Sequence, residues 1–154
     1  MEAKFDKCLK KSKLKLMGRI LGLDFGEARV GLAVSDETGT IAFPLPAWER
    51  KNQIGLLAYL GHLTKAEEIQ KIVLGFPRHM DGSVGKIAEQ VLAFKEELTK
   101  DLGLPVDLWD ERLSSVSARR VIQEQKKKTK RDKKVVDTIS AVLILQNYLD
   151  SHRK

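Results

Sequence analysis

Two apolar runs separated by only three residues constrain this chain more than any other feature. Residues 19–25 read RILGLDF and residues 29–35 read RVGLAVS. The second run alternates: Val30, Leu32 and Val34 share one face, and Arg29, Gly31, Ala33 and Ser35 share the other. A link as short as Gly26–Ala28 can only return the chain beside itself, so an antiparallel hairpin is expected. Residues 39–46, GTIAFPLP, read as a third strand ended by its prolines. Then the period changes. Asn52 to about Glu67 reads as a helix with Ile54, Leu57, Ala58 and Leu63 facing inward. Residues 71–76, KIVLGF, form a short apolar strand, expected to be central and parallel. Val84, Ile87, Ala88, Val91, Leu92 and Leu98 lie on one helical stripe. Residues 105–109, PVDLW, give another strand after a Gly-Leu-Pro turn. Ser114 or Ser115 can cap a helix running to about Gln123, and a last helix spans about Lys134–Leu149. The order β-β-β-α-β-α-β-α-α implies an α/β fold: a mixed five-stranded sheet, three antiparallel meander strands followed by parallel ones, flanked by helices.

Length and composition narrow the class. The 154 residues favour one domain, and 42% hydrophobic content is enough for a core without disulfides or metal staples. The longest aliphatic stretch, Ala141–Leu145, is far short of the roughly 20 apolar residues of a membrane span. No segment reads as a secretory signal. Cys8 is the single cysteine and has no internal partner; with three histidines the chain cannot build an ordinary cysteine-rich zinc site. A soluble, cytoplasmic protein without membrane contact is expected. The net charge of +7 is unevenly placed. Residues 1–17 carry +4 and residues 123–134, QEQKKKTKRDKK, carry +5, which leaves the rest at −2. Two short basic segments on a slightly acidic body suit a nucleic-acid backbone, or else are a solvated tail and linker. Aromatic content of 6% makes base stacking the less obvious mode. Residues 1–17 read as a basic extension and residues 18–154 as the domain.

Three acids stand out by position. Asp24 ends the first strand, Glu111 follows the strand at 105–109, and Asp137 lies near the start of the last helix. Strand ends and helix starts meet at one edge of such a sheet. Carboxylates brought together there repel unless a cation lies between them, and oxygen-only donors suit magnesium or manganese rather than zinc. Such ions activate water and stabilise the leaving oxygen of a phosphodiester. Each acid also has a simpler reading: Asp24 as a hairpin residue, Glu111 as a surface partner of Arg112, Asp137 as a charge at a helix N-terminus. Asp110 precedes Glu111, so in an extended chain the two point oppositely, and Glu111 is the one expected at a metal. His79 reads as an exposed loop residue. Gly82 and Gly85 serve a turn and form no Walker loop. Trp48 and Trp109 read as packing residues.

Four segments then resemble one family. GRILGLDFGEARVGLAVSD (Gly18–Asp36), VLGFPRHMDGSVGKIAEQV (Val73–Val91), WDERLSSVSA (Trp109–Ala118) and VDTISAVLILQNYL (Val136–Leu149) are similar, in order and spacing, to the YqgF/RuvX family. Its members are ribonuclease-H-like nucleases, described as pre-16S ribosomal RNA nucleases and as Holliday-junction-resolvase-like proteins. The resemblance implies that Asp24, Glu111 and Asp137 are the catalytic and metal-binding acids, with Mg2+ or Mn2+ as cofactor. Asp24 would anchor the metal, and Glu111 or Asp137 would also orient the attacking water. It implies phosphate contact by Arg29, roles near substrate for Arg112 and Ser114, and a basic segment, Lys126, Lys127 and Lys128, that holds a nucleic-acid backbone. The last motif reads DTISA where the family often has two alanines, a change in packing more than in chemistry. The resemblance favours 5′ processing of pre-16S ribosomal RNA over cleavage of branched DNA, and a resolvase would need to be a homodimer. Two other classes compete. An ATPase of the actin and sugar-kinase class also begins with Asp-x-Gly after a strand, but needs two domains. A non-catalytic nucleic-acid binder would suit the lysines but has no use for three acids. The DFG here lacks the size, glycine loop and HRD motif of a protein kinase.

Overall fold

The hairpin required by the short 26–28 link forms, and the rest of the sheet grows from it. The computed structural model describes residues 18–50, 53–77, 85–110 and 133–152. The strands are β1 (Arg19–Phe25), β2 (Arg29–Ser35), β3 (Ala42–Glu49), β4 (Ile69–Phe76) and β5 (Val106–Asp110). They make one sheet in the order β3-β2-β1-β4-β5. β1, β2 and β3 pair antiparallel in sequence, whereas β4 joins β1, and β5 joins β4, in parallel. The helices among the described residues are α1 (Gln53–Ala66), α2 (Lys86–Leu102) and α3 (Lys133–Ser151). The mixed sheet and the switch from meander to parallel strands agree with the expectation from sequence.

Three local readings need correction. β3 starts and ends three residues later than expected, and Pro44 and Pro46 lie inside it rather than ending it. β3 is an edge strand, so one side of it carries no ladder bonds and a missing N–H there costs little. In α1 the buried line is Leu56, Leu60 and Thr64, while Leu57 and Leu63 are half-buried and Ala58 is exposed. The Ile54 side chain lies outside the described residues. Leucines occur on several sides of this helix, so its period alone does not choose the inner face. In α2 the stripe runs through Ala88, Val91, Phe94 and Leu98, and Leu92 is exposed. Phe94 wins the inner position because its ring packs against Phe25, with centroids 4.8 Å apart. Gly103 ends α2 in the left-handed conformation, φ 66°, and its N–H donates to the Thr99 carbonyl.

The two faces of the sheet bury different things. On one, Leu21, Leu23, Phe25, Val30, Leu32, Ile72 and Leu74 pack against α1 and α2 in a core of large side chains. On the other, Ala33, Ala42 and Val73 meet Ala141, Ile144, Leu145, Tyr148 and Leu149 of α3. The fully buried strand residues on this second face are Ala33 and Val73 with Gly22, and Gly22 is the extreme case. A Cβ at residue 22 would stand 2.7 Å from the Leu145 Cβ and 3.4 Å from the Ala141 carbonyl oxygen. The helix therefore lies directly on the backbone of β1. Gly22→Ala is expected to push α3 off the sheet and cost about 1–3 kcal/mol, the usual cost of overpacking. Urea unfolding checks it; an unchanged midpoint would mean that α3 can rise from β1 freely.

Candidate active site

Strand parity sorts the nominated residues. β1 puts Leu21, Leu23 and Phe25 on the α1/α2 face, so Gly22 and Asp24 belong to the α3 face. Asp24 is half-buried and pairs with Gly31 of β2, which shares that face with Ala33 and Arg29. Arg29 is half-buried at the start of β2, beside the end of β1. Asp24 and Arg29 thus share one face at one edge of the sheet.

The parallel strands deliver the neighbouring chain ends to the same edge. Leu23, Leu74 and Leu108 are level across β1, β4 and β5. Asp24 lies one residue beyond that line, and β5 ends two residues beyond it at Asp110, opposite Phe76. On the α3 face β5 presents Asp107 and Trp109. Trp109 packs edge-on against Tyr148, ring centroids 5.6 Å apart, and Trp48 stacks on Tyr59 at 4.9 Å, so both tryptophans act in packing. Glu111 is the next residue in the chain and lies outside the described residues, as do His79, Gly82, Arg112, Ser114, Lys126, Lys127 and Lys128. Gly85 precedes α2 at its N-cap with extended backbone.

Helix α3 runs antiparallel to β1. Near its C-terminal end, Tyr148 is bonded to Lys71, which pairs with Ile20 at the start of β1. Leu145 and Ala141 then lie over Gly22. Near its N-terminal end, the Thr138 hydroxyl donates to the Leu45 carbonyl at 3.3 Å. Following the helix backward therefore leads toward the Asp24 end of the strand. The backbone of Asp137 is in α3, one turn before Ala141, while its side chain lies outside the described residues. The structure thus places Asp24, the end of β5 and the first turns of α3 at one edge. Among the described residues no three His, Cys, Asp or Glu side chains are gathered as a metal site.

Polar contacts fix how far α3 can slide. The Gln146 Oε1 accepts from the Ala42 N–H at 2.9 Å, and its Nε2 donates to the Thr40 carbonyl at 2.9 Å. The Tyr148 hydroxyl donates to Asp107 at 2.7 Å and accepts from the Lys71 ammonium at 3.1 Å, which also lies 3.0 Å from Asp107. Burial pushes the Asp107 carboxyl up, but bonds from Tyr148 and Lys71 outweigh it and hold the group below its ordinary value. The bond to Tyr148, against burial and with help from Asp107, raises Lys71. Burial and then the bond to Asp107 raise Tyr148.

Sequence reasoning missed a residue at this edge. Arg50, immediately after β3, donates from Nη1 to the carbonyls of Gly26 at 3.0 Å and Glu27 at 2.9 Å. Nothing in its sequence context, WERKN, marks it, because its partners are backbone atoms 23 and 24 positions away.

The fold compares with solved structures of low identity. Thermus thermophilus RuvC in complex with Holliday junction substrate superposes with a TM-score of 0.56 at 13% identity, over 87% of this chain and 96% of that one. The fowlpox virus resolvase in complex with Holliday junction DNA gives 0.55 at 12%, over 88% and 99%. The architecture is therefore RuvC-like, a ribonuclease-H-like fold. Residues 18–151 match the family described as "RuvX: Holliday junction resolvase". A "Putative pre-16S rRNA nuclease" of Syntrophomonas wolfei is 46% identical over 132 residues, 86% of this chain and 94% of the relative. One of the same name from Moorella thermoacetica is 42% identical over 132 residues, with the same coverages. The chain belongs to the RuvX family.

The Asp107 anchor sets a pH dependence. A carboxyl lowered on folding stabilises above its ordinary value near 3.8, and that contribution disappears as pH falls through the lower folded value. Asp107→Asn is expected to flatten the acid limb of stability by under about 1 kcal/mol, because the pair is partly exposed. Urea midpoints measured down the acid limb check it; an acid limb identical to wild type would remove Asp107 from the anchoring of α3.

Proposed function

We propose that this protein is a metal-dependent nuclease that hydrolyses phosphodiester bonds, acting in the cytoplasm on the 5′ end of pre-16S ribosomal RNA. The observation that carries this reading is the placement of Asp24: half-buried, at the end of β1, on the face and at the edge where α3 begins and β5 ends. The name shared by the relatives supplies the substrate. The catalytic domain is residues 18–154, with residues 1–17 as a basic extension.

The donor set proposed for this edge is three carboxylates, Asp24, Glu111 and Asp137. Hard oxygen donors fit Mg2+ or Mn2+, and nothing here calls for cysteine or histidine. Bound there, such an ion supplies an activated water and charge stabilisation at the leaving oxygen. The residues of the chain do the rest. Asp24 anchors the cation from the rigid central strand. Glu111, the residue after β5, and Asp137 complete the ligand set. One of those two acids orients the attacking water by accepting a hydrogen bond from it. Arg29, on the same face as Asp24, binds a phosphate oxygen, and Arg112 and Ser114 contribute further substrate contacts. Lys126, Lys127 and Lys128 hold the nucleic-acid backbone by charge.

The RuvC-like fold and the family description favour a second reading, cleavage of branched DNA. A resolvase cuts two strands symmetrically, so that reading requires a homodimer. A cleavage panel of single-stranded RNA, a pre-ribosomal 5′ leader and a four-way DNA junction, run with manganese, magnesium or EDTA, separates the two. RNA cleavage that needs the metal is expected. Asp24→Asn, Glu111→Gln and Asp137→Asn should each lower it at least about a thousandfold, the scale of several kcal/mol of charge stabilisation, without unfolding the protein. Wild-type turnover in any one would remove that residue from the mechanism.

A further inference from the structure

The link between β1 and β2 is held from outside by one arginine. Arg50 Nη1 donates to the carbonyls of Gly26 and Glu27, at 3.0 and 2.9 Å, and lies 3.4 Å from the Gln90 side-chain oxygen on α2. Its backbone N–H donates to the Ala28 carbonyl at 2.9 Å. Every carbonyl of the 26–28 link is therefore bonded to Arg50. Its guanidinium also lies over the ring of Phe25, 4.3 Å from the centroid, and Phe25 is the neighbour of Asp24. Among the described residues no carboxylate pairs with it, and its Nε is buried without a hydrogen bond. The half-buried guanidinium is thus held by carbonyl oxygens and by the face of a ring.

We propose that Arg50 is a positioning residue: by clamping the 26–28 link and the ring of Phe25 it fixes the Asp24 carboxylate for the divalent cation. The proposal rests on the reading of Asp24 as the cation's anchor. The fork of an arginine can bridge two carbonyls, whereas a lysine ammonium at the same place supplies charge without that geometry. Charge alone therefore should not restore function.

The test compares full-length wild type, Arg50→Lys, Arg50→Met and Asp24→Asn. Manganese binding without nucleic acid is measured by calorimetry, amide exchange is followed at residues 24–30, and RNA cleavage gives kcat and KM. For both Arg50 variants, faster exchange at the link and manganese affinity weaker by about 10–100-fold are expected, the usual penalty for losing an outer-shell support. kcat should fall while KM for RNA stays unchanged, and Arg50→Lys should rescue little. Wild-type manganese affinity in folded Arg50→Lys would overturn the proposal. So would a raised KM with intact kcat, which would make Arg50 a substrate contact. Should Asp24→Asn bind manganese as wild type does, the reading of Asp24 itself fails and takes this proposal with it. If only the Arg50 variants bind normally, the positioning role alone fails.

Discussion

There is no space for a Cβ at residue 22, and much of the molecule follows from that close approach. Leu145 and the Ala141 carbonyl occupy the volume a side chain would need. With Ala33 beside it, Gly22 makes a shallow floor on which α3 lies against the backbone of β1. A helix seated that low leaves room beneath its middle for only small strand side chains. It also brings its own first turns close to the end of β1, where Asp24 stands. The opposite face is built the usual way, from large aliphatic residues under two helices.

Seating is not enough to fix an acid near the helix start, because a helix on a smooth floor can slide. Gln146 stops that by bonding both ends of its amide to the Thr40–Ala42 segment at the sheet edge. Tyr148 stops it again by joining Asp107 and Lys71 across β5 and β4. These polar contacts lie well away from Asp24, toward the end of the sheet where β1 starts. The parallel arrangement of β1, β4 and β5 then brings three strand ends to that edge together. Antiparallel pairing alone would have sent alternate ends to the opposite side.

Much of this was legible in the amino-acid order. The alternation in 29–35 and the three-residue link led to the hairpin, and the faces assigned to Val30, Leu32, Val34 and to Arg29, Gly31, Ala33 are those found. The change of period after residue 50 led to the mixed sheet. What period could not settle was rank among similar residues. Leu92 and Phe94 are both apolar, and only the proximity of Phe25 decides which turns inward. Pro44 and Pro46 read as terminators because a strand's place at an edge is a tertiary fact. Asp24 is nominated by strand position and family resemblance, Arg29 by the resemblance alone, and they share a face because their separation is odd across a tight hairpin. Arg50 left no trace, since it binds carbonyls, which every residue has.

We propose that one edge of this sheet gathers Asp24, Glu111 and Asp137 around a divalent cation that serves phosphodiester hydrolysis. Crystals grown with manganese, with anomalous diffraction recorded above the manganese edge, test it most directly. The expected result is an anomalous peak within coordinating distance of the Asp24 carboxylate and of the other two acids, absent from Asp24→Asn crystals. A peak elsewhere on the protein, or none beside Asp24 when manganese supports cleavage in solution, would contradict it.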